Sequence, residues 1–408
     1  MQSIIDKITP SKKERDKVAQ IINNFFKKIK SKIKDVVIEL GGSMAKDTWL
    51  SGDYDIDVFV KFPYLKYRNK DISKILQEKL KGIKYEVMHG SRDYLQVKQG
   101  KYLFEIIPVL NINHSSRNMN ITDVSPLHAR YVKKNNKNPL AIRLTKQFLK
   151  ANNLYGAESY IKGFSGYVVE LLVIYYGDFP SLVKNASKWK SQTILDLSNY
   201  YKNEKEVLRN INKDKLGNLI LIDPVQPERN AAASLSQEKY FEFINLCKKY
   251  LQNPRKEFFI EKKFDIKELK KQYKNYELII LQVSPLSGKR DVIGSKLLKA
   301  FNYIKEKISG EGYKIKNSNW HWNNKAVFYY IVEKKKLPKE IVHYGPPRNL
   351  IENVKKFKEK WKNHKVLQDN FCVYVKLKRP YTNVKDYVKS LFKDNYLKNL
   401  VKSIKKVL

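Results

Sequence analysis

The chain has 408 residues, enough for roughly two to four domains, and 42% of them are apolar, ample for packed cores. Lysine and arginine number 81 against 41 acids, a formal charge of +40 that points to a polyanionic partner bound in a salt-dependent way; codons of an AT-rich genome account for only part of the lysine excess. Two distant cysteines, Cys247 and Cys372, argue against a disulfide framework or a structural zinc and for a reducing cytoplasm, and the longest greasy run, Tyr167 to Tyr176, is interrupted by Glu170 and too short to span a bilayer.

In chain order, residues 8–34 carry Pro10 and then Val18, Ile21, Ile22, Phe25, Phe26 and Ile29 at helical spacing, an amphipathic helix leading into a strand at 35–40. Gly41-Gly42-Ser43 follows as a tight turn and helix N-cap, which presents backbone N–H groups and a hydroxyl to a triphosphate. Ser43 and Lys46 share one helical turn, so hydroxyl and ammonium reach the same phosphate oxygens. A second strand at 54–62 puts Asp55 and Asp57 on one face and Ile56, Val58 and Val60 on the other. Two adjacent carboxylates repel unless a hard dication joins them, which points to Mg²⁺ rather than zinc. Further strands are expected around 83–88, at 92–98 and at 102–111, the last with Glu105 as its lone acid. A D-x-D pair with a third acid on a neighbouring strand suits two metal ions about 3.5–4 Å apart, the arrangement of nucleotidyl transfer.

These strands make an α+β head, residues 1–134. From Pro139 the pattern turns helical to about 255, giving a helical middle domain at 135–254. Beyond it, strands at 277–283 and 326–332 flank a helix at 291–308, and a strand at 371–377 precedes a Lys-rich C-terminal helix. Residues 351–408 hold 16 basic and 5 acidic side chains, a local +11 interleaved with Tyr and Phe, as suits a surface tracking RNA in a C-terminal body and tail at 255–408.

Gly42-Ser43, Asp55-x-Asp57 and the later acid resemble the nucleotidyltransferase superfamily of DNA polymerase β, poly(A) polymerases and CCA-adding enzymes. Asp123-Val124-Ser125-Pro126-Leu127-His128, Arg143 to Lys150, Leu154-Tyr155-Gly156-Ala157-Glu158, Gly163-Phe164-Ser165-Gly166-Tyr167, Asp223-Pro224-Val225 and Arg229-Asn230-Ala231-Ala232 narrow it: over residues 1–250 the chain resembles the archaeal, class I CCA-adding enzymes.

The resemblance implies a polymerase β-like head, a helical neck and an α/β body with tail. It implies a tRNA nucleotidyltransferase that extends the tRNA 3′ end from CTP and ATP, with tRNA gripped by its acceptor and T arms. Asp55, Asp57 and Glu105 would be the catalytic, metal-holding acids for two Mg²⁺. Gly42, Ser43, Lys46, His128, Lys146 and Tyr155 would bind the nucleotide, and Arg229, a planar fork of donors, would read the base edge. Lys146 and Tyr155 converge only if head and middle domain form a cleft. The chain departs from the family at Glu105, where aspartate is usual, and at Gly90-Ser91-Arg92, where an aromatic-x-His pair is usual; Tyr94 or Tyr85 is the candidate replacement at the primer end. Gly345-Pro346-Pro347 resembles a family motif between body and tail. The alternatives are a poly(A)-type or other terminal transferase and a non-catalytic basic RNA-binding protein; the oligomeric state, a homodimer included, stays open.

Overall fold

A computed structural model describes residues 1–261, 264–323 and 325–407, which form two compact units, 1–262 and 263–408. The first begins with α1 (Gln2–Ile8) and α2 (Lys12–Lys32), the latter capped by the Ser11 side chain, which accepts from Glu14 N–H. α2 buries Val18, Ile22, Phe25 and Ile29, the stripe its spacing predicts. α1 is too short for periodicity to reveal; its Ile4 and Ile8 join the core of the middle domain, not that of the head.

β1 (Val37–Leu40) enters α3 (Gly42–Ala45), and β2 (Asp55–Pro63), α4 (Tyr64–Tyr67), α5 (Ile72–Lys79), β3 (Glu86–Met88), β4 (Tyr94–Gln99) and β5 (Tyr102–Asn111) complete the head. The five strands form one sheet, β1-β2-β5-β4-β3, with β2 and β5 parallel and the other pairs antiparallel. Ile56, Val58, Phe104 and Ile106 are fully buried beneath it, so the intervening Asp57 and Glu105 emerge on the opposite face.

α6 (Ser125–Asn135), α7 (Pro139–Ala151), α8 (Gly166–Tyr176), α9 (Phe179–Ala186), β6 (Thr193–Asp196), α10 (Glu204–Asn210), β7 (Leu219–Ile222) and α11 (Gln237–Gln252) make the middle domain. It is not purely helical as expected: β6 and β7 pair in parallel. Leu219–Ile222 is buried throughout, so it lacks the alternation that marks a half-exposed strand. Phe259, beyond the expected boundary at 254, is buried in this domain's core.

The second unit contains α12 (Ile266–Gln272), β8 (Tyr276–Ser284), α13 (Arg290–Gly310), β9 (Ile315–Trp322), β10 (Ala326–Glu333), β11 (Glu340–Pro347), α14 (Ile351–Lys360), β12 (Val366–Gln368), β13 (Cys372–Lys378), α15 (Val384–Leu391), α16 (Asn395–Leu400) and β14 (Ser403–Lys406). Its sheets run β14-β8-β10-β9 and β11-β13-β12, and Gly345-Pro346-Pro347 closes β11. The expected C-terminal helix is instead two short helices and an edge strand. Asn383 and Asp394 cap the two helices by accepting from Asp386 and Tyr396 N–H, and β14 then pairs with β8.

Candidate active site

The turn at 41–46 is closed by backbone. Gly41 N–H donates to Asp57 C=O at 2.8 Å, and Gly42, at φ +57°, leaves room only for hydrogen: a Cβ there would lie 1.6 Å from Asp57 Oδ2. The helix that follows is a single turn, and Gly41, not Ser43, holds the N-cap position; Ser43 lies inside the turn, with Lys46 at its C-terminal end.

Asp57 is the Cα partner of Glu105 across the parallel β2–β5 pair, and Glu105 is in turn the partner of Gln96 on β4. Gln96 Nε2 donates to Glu105 Oε1 at 3.1 Å, which restrains a side chain one methylene longer than the family's aspartate. Burial raises the Asp57 carboxyl to about 6, Asp55 and Glu170 push the same way, and Lys46 opposes them. Tyr94, half-buried, is raised to about 12 by burial and by Glu105 and Asp57, so its hydroxyl faces the acids. Tyr85 does not: its hydroxyl donates to Gln77 C=O and its ring packs in the head core, which removes it as a primer-end candidate. Arg92, where the family has histidine, pairs with buried Asp123 and donates to Pro108 C=O, a brace between the β3–β4 turn and the start of α6.

Among the described residues no three His, Cys, Asp or Glu side chains gather closely enough to form a metal cage. The donors nevertheless fit a hard divalent ion. They are hard oxygen ligands at adjacent register positions, Asp57 beside Glu105 with Asp55 two residues away on the same face.

α7 aims Arg143, Lys146 and Lys150 at the loop between α3 and β2. Arg143 donates to Trp49 and Asp47 C=O at 3.0 and 2.6 Å, and Lys150 pairs with Asp53 at 3.0 Å. Lys146 Nζ lies 3.0 Å from both Thr48 C=O and Thr48 Oγ1 and 3.4 Å from Glu170 Oε1. Glu170, fully buried on α8, also accepts from Lys46 Nζ and Thr48 Oγ1, each at 2.6 Å. Burial would raise this carboxyl, but the two lysines and their hydrogen bonds hold it below its ordinary value; burial in turn lowers Lys146 to about 8. Tyr155 is raised by burial and by Glu170, Asp53, Glu158 and Asp55, so it too faces this cluster. Lys46, Lys146 and Glu170 thus meet where the head packs on the middle domain, with Asp55, Asp57 and Tyr155 close by.

His128 and Arg229 belong to a second cluster, around Asp223. Arg229 Nη1 lies 2.5 Å from Asp223 Oδ2, and His128 Nε2 lies 2.9 Å from the same oxygen without good hydrogen-bond alignment. Tyr167 OH and Val225 N–H donate to Oδ1 at 3.0 and 2.9 Å. Burial would raise Asp223, but His128, Val225 and Arg229 hold it down at about 2. α6, which carries His128, packs against both α3 and α8.

Glu170 and Gln96 join the site without having been expected there, whereas Asp223 lies in a motif that carries the family resemblance. Glu170 had left a signal: one acid in an otherwise apolar helix needs a cationic partner.

Three segments match family models: 22–115 a nucleotidyltransferase domain, 141–260 the second domain of tRNA nucleotidyltransferase, and 279–408 the C-terminal domain of CCA-adding enzyme. A CCA-adding enzyme of Sulfurisphaera tokodaii is 32% identical over 93% of this chain and 88% of its own. One from Nanoarchaeum equitans is 33% identical over 89% and 90%. In fold alone, a solved cytoplasmic RNA terminal U-transferase covers 64% of this chain and 98% of its own, with a TM-score of 0.50 and 13% identity. A poly(U) polymerase covers 64% and 97%, with a TM-score of 0.51 and 13% identity.

Proposed function

The chain belongs to the CCA-adding enzyme family of tRNA nucleotidyltransferases, and from that premise we propose that it adds C, C and A to the tRNA 3′ end from CTP and ATP without a nucleic-acid template. The observation that carries the assignment of residues is the register: Asp57 beside Glu105 on parallel strands, Asp55 on the same face, and a side-chain-free Gly42 that lets the phosphate turn close on Asp57.

Nucleotidyltransferases of this superfamily typically use divalent metal ions. Here Asp55, Asp57 and Glu105 would hold two Mg²⁺, which when bound supply charge neutralisation at the phosphates and acidify the attacking hydroxyl. The tRNA 3′ oxygen forms a bond to the α-phosphorus in line with the phosphoanhydride bond that breaks; pyrophosphate leaves, and the hydroxyl proton passes to solvent. Ser43, Lys46, Lys146 and Tyr155 orient the triphosphate, and backbone N–H groups at Gly42 line its turn. His128 and Arg229 face the nucleoside, and Arg229 offers its remaining donors to the acceptor edges of cytosine and adenine. Gln96 steadies Glu105.

The basic 255–408 segment and the middle domain would grip the acceptor and T arms by shape and phosphate contacts. No helix among the described residues is long and apolar enough to cross a membrane, and a cytoplasmic site of action is proposed because that is where a tRNA-extending enzyme meets its substrate.

The test offers tRNA lacking CCA, tRNA ending in C and tRNA ending in CC, each with labelled CTP or ATP and Mg²⁺. The expected pattern is CTP onto the first two and ATP onto the third, with Asp57→Ala at least about a thousandfold slower and tRNA affinity unchanged. Indiscriminate runs of A, or turnover by Asp57→Ala near the wild-type rate, would overturn the reading.

A further inference from the structure

Glu170 sits where an acid is least expected, on an α8 whose neighbours Val168, Val169, Leu171 and Leu172 are all buried. A carboxylate so placed is costly, and its bonding shows what offsets the cost. Oε2 takes Lys46, Oε1 takes Thr48 and Lys146, and each of these comes from the turn against Asp57 or from the α7 face that covers it. The Lys46 and Lys146 side chains are only 12% and 4% exposed. Two ammonium groups thus share one carboxylate in a nearly closed pocket, held side by side next to the turn against Asp57. The chemistry that completes such a set is a polyanion carrying several oxygens within reach of both lysines.

We propose that Glu170 is a positioning residue that fixes Lys46 and Lys146 beside the phosphate turn before the nucleotide arrives, so that the β- and γ-phosphates of CTP and ATP meet lysines already in place. This rests on the reading that those two lysines bind the triphosphate. Holding them in advance removes the side-chain ordering that binding would otherwise require. A nucleoside monophosphate, which lacks the outer phosphates, gains nothing from the arrangement.

The experiment compares Glu170→Gln with wild type in steady-state kinetics on tRNA lacking CCA, in CMP and CTP binding, and in a thermal melt. The expected result is a KM for CTP and for ATP raised about tenfold or more, kcat changed far less, CTP binding weakened and CMP binding unchanged. KM values within twofold of wild type would overturn the proposal. So would equal weakening of CMP and CTP together with a lowered melting temperature, the signature of a mere brace between domains.

Lys46→Ala and Lys146→Ala, measured alongside, separate the two readings. If they leave KM unchanged, the triphosphate assignment itself fails; if they raise KM while Glu170→Gln does not, only the role of Glu170 fails. If Glu170→Gln does not fold, Lys146→Met is compared alone and combined with Glu170→Gln, a pair of changes that balances in charge. A higher KM in the double variant supports positioning of Lys46 by Glu170, and equal KM values overturn it.

Discussion

Glu170 and Asp223 are both fully buried carboxylates, yet Glu170 holds two lysines that are themselves buried, whereas Asp223 holds an arginine whose side chain keeps 33% of its surface in solvent. Their chemistry differs to match. The lysines are compact point charges suited to phosphate oxygens from any direction, and the arginine is a planar fork that distinguishes edges. One device, a buried acid that orders basic side chains, therefore occurs in a closed pocket and in an open one, and on the proposed function it serves charge in the first and shape in the second.

The comparison breaks most severely at Asp223. Asp223→Asn sets an amide N–H₂ against groups that now donate to the carboxylate, so unfolding free energy should fall by about 3–5 kcal/mol, read by denaturant melts. An unchanged midpoint would show that the cluster is loosely held. Next is the charge trapped at Asp57. Its folded value of about 6 lies above the ordinary 3.8, so the folded state prefers the protonated form. The resulting destabilisation is absent below about pH 4, grows through pH 4–6 and is full above, to the extent of about 2–3 kcal/mol. In chelator, Asp57→Asn should therefore be more stable than wild type above pH 6 and similar to it near pH 4, and added Mg²⁺ should stabilise only wild type. Melts across pH with and without Mg²⁺ check this.

Arg229 carries the smallest of the three effects and sharpens the contrast most. Arg229→Ala should lower the preference for CTP and ATP over UTP and GTP by roughly ten- to a hundredfold, the worth of a charge-assisted hydrogen bond, and Arg229→Lys should not restore it. The ion pair to Asp223 supplies the competing outcome: a uniformly slower, less stable enzyme with unchanged ratios of kcat/KM would make Arg229 structural.

The sheet face of the site was legible because alternation is local: Asp55 and Asp57 follow from the burial of Ile56 and Val58 two residues apart. Glu170, the acid that orders the two lysines, was not. Glu170 meets Thr48 and Lys46 across 122 and 124 residues, and nothing short-range selects them from 81 basic side chains. The same limit hid β7, whose partner β6 lies beyond an intervening helix. The break in the C-terminal helix is different, since Asn383 and Asp394 are capping residue types whose positions mark two helix starts.

The docking of α1 has a consequence for how the molecule is made. Ile4 and Ile8 are translated ahead of the head's strands, but their burial is completed by α7 and the middle-domain core, translated well over a hundred residues later. Ser51 N–H, on the loop between phosphate turn and catalytic strand, donates to Ile8 C=O, so that loop also waits for the late partner. The nascent head can build its own sheet early, but its nucleotide face matures only when the neck has been synthesised, a non-local closure of the kind that slows folding.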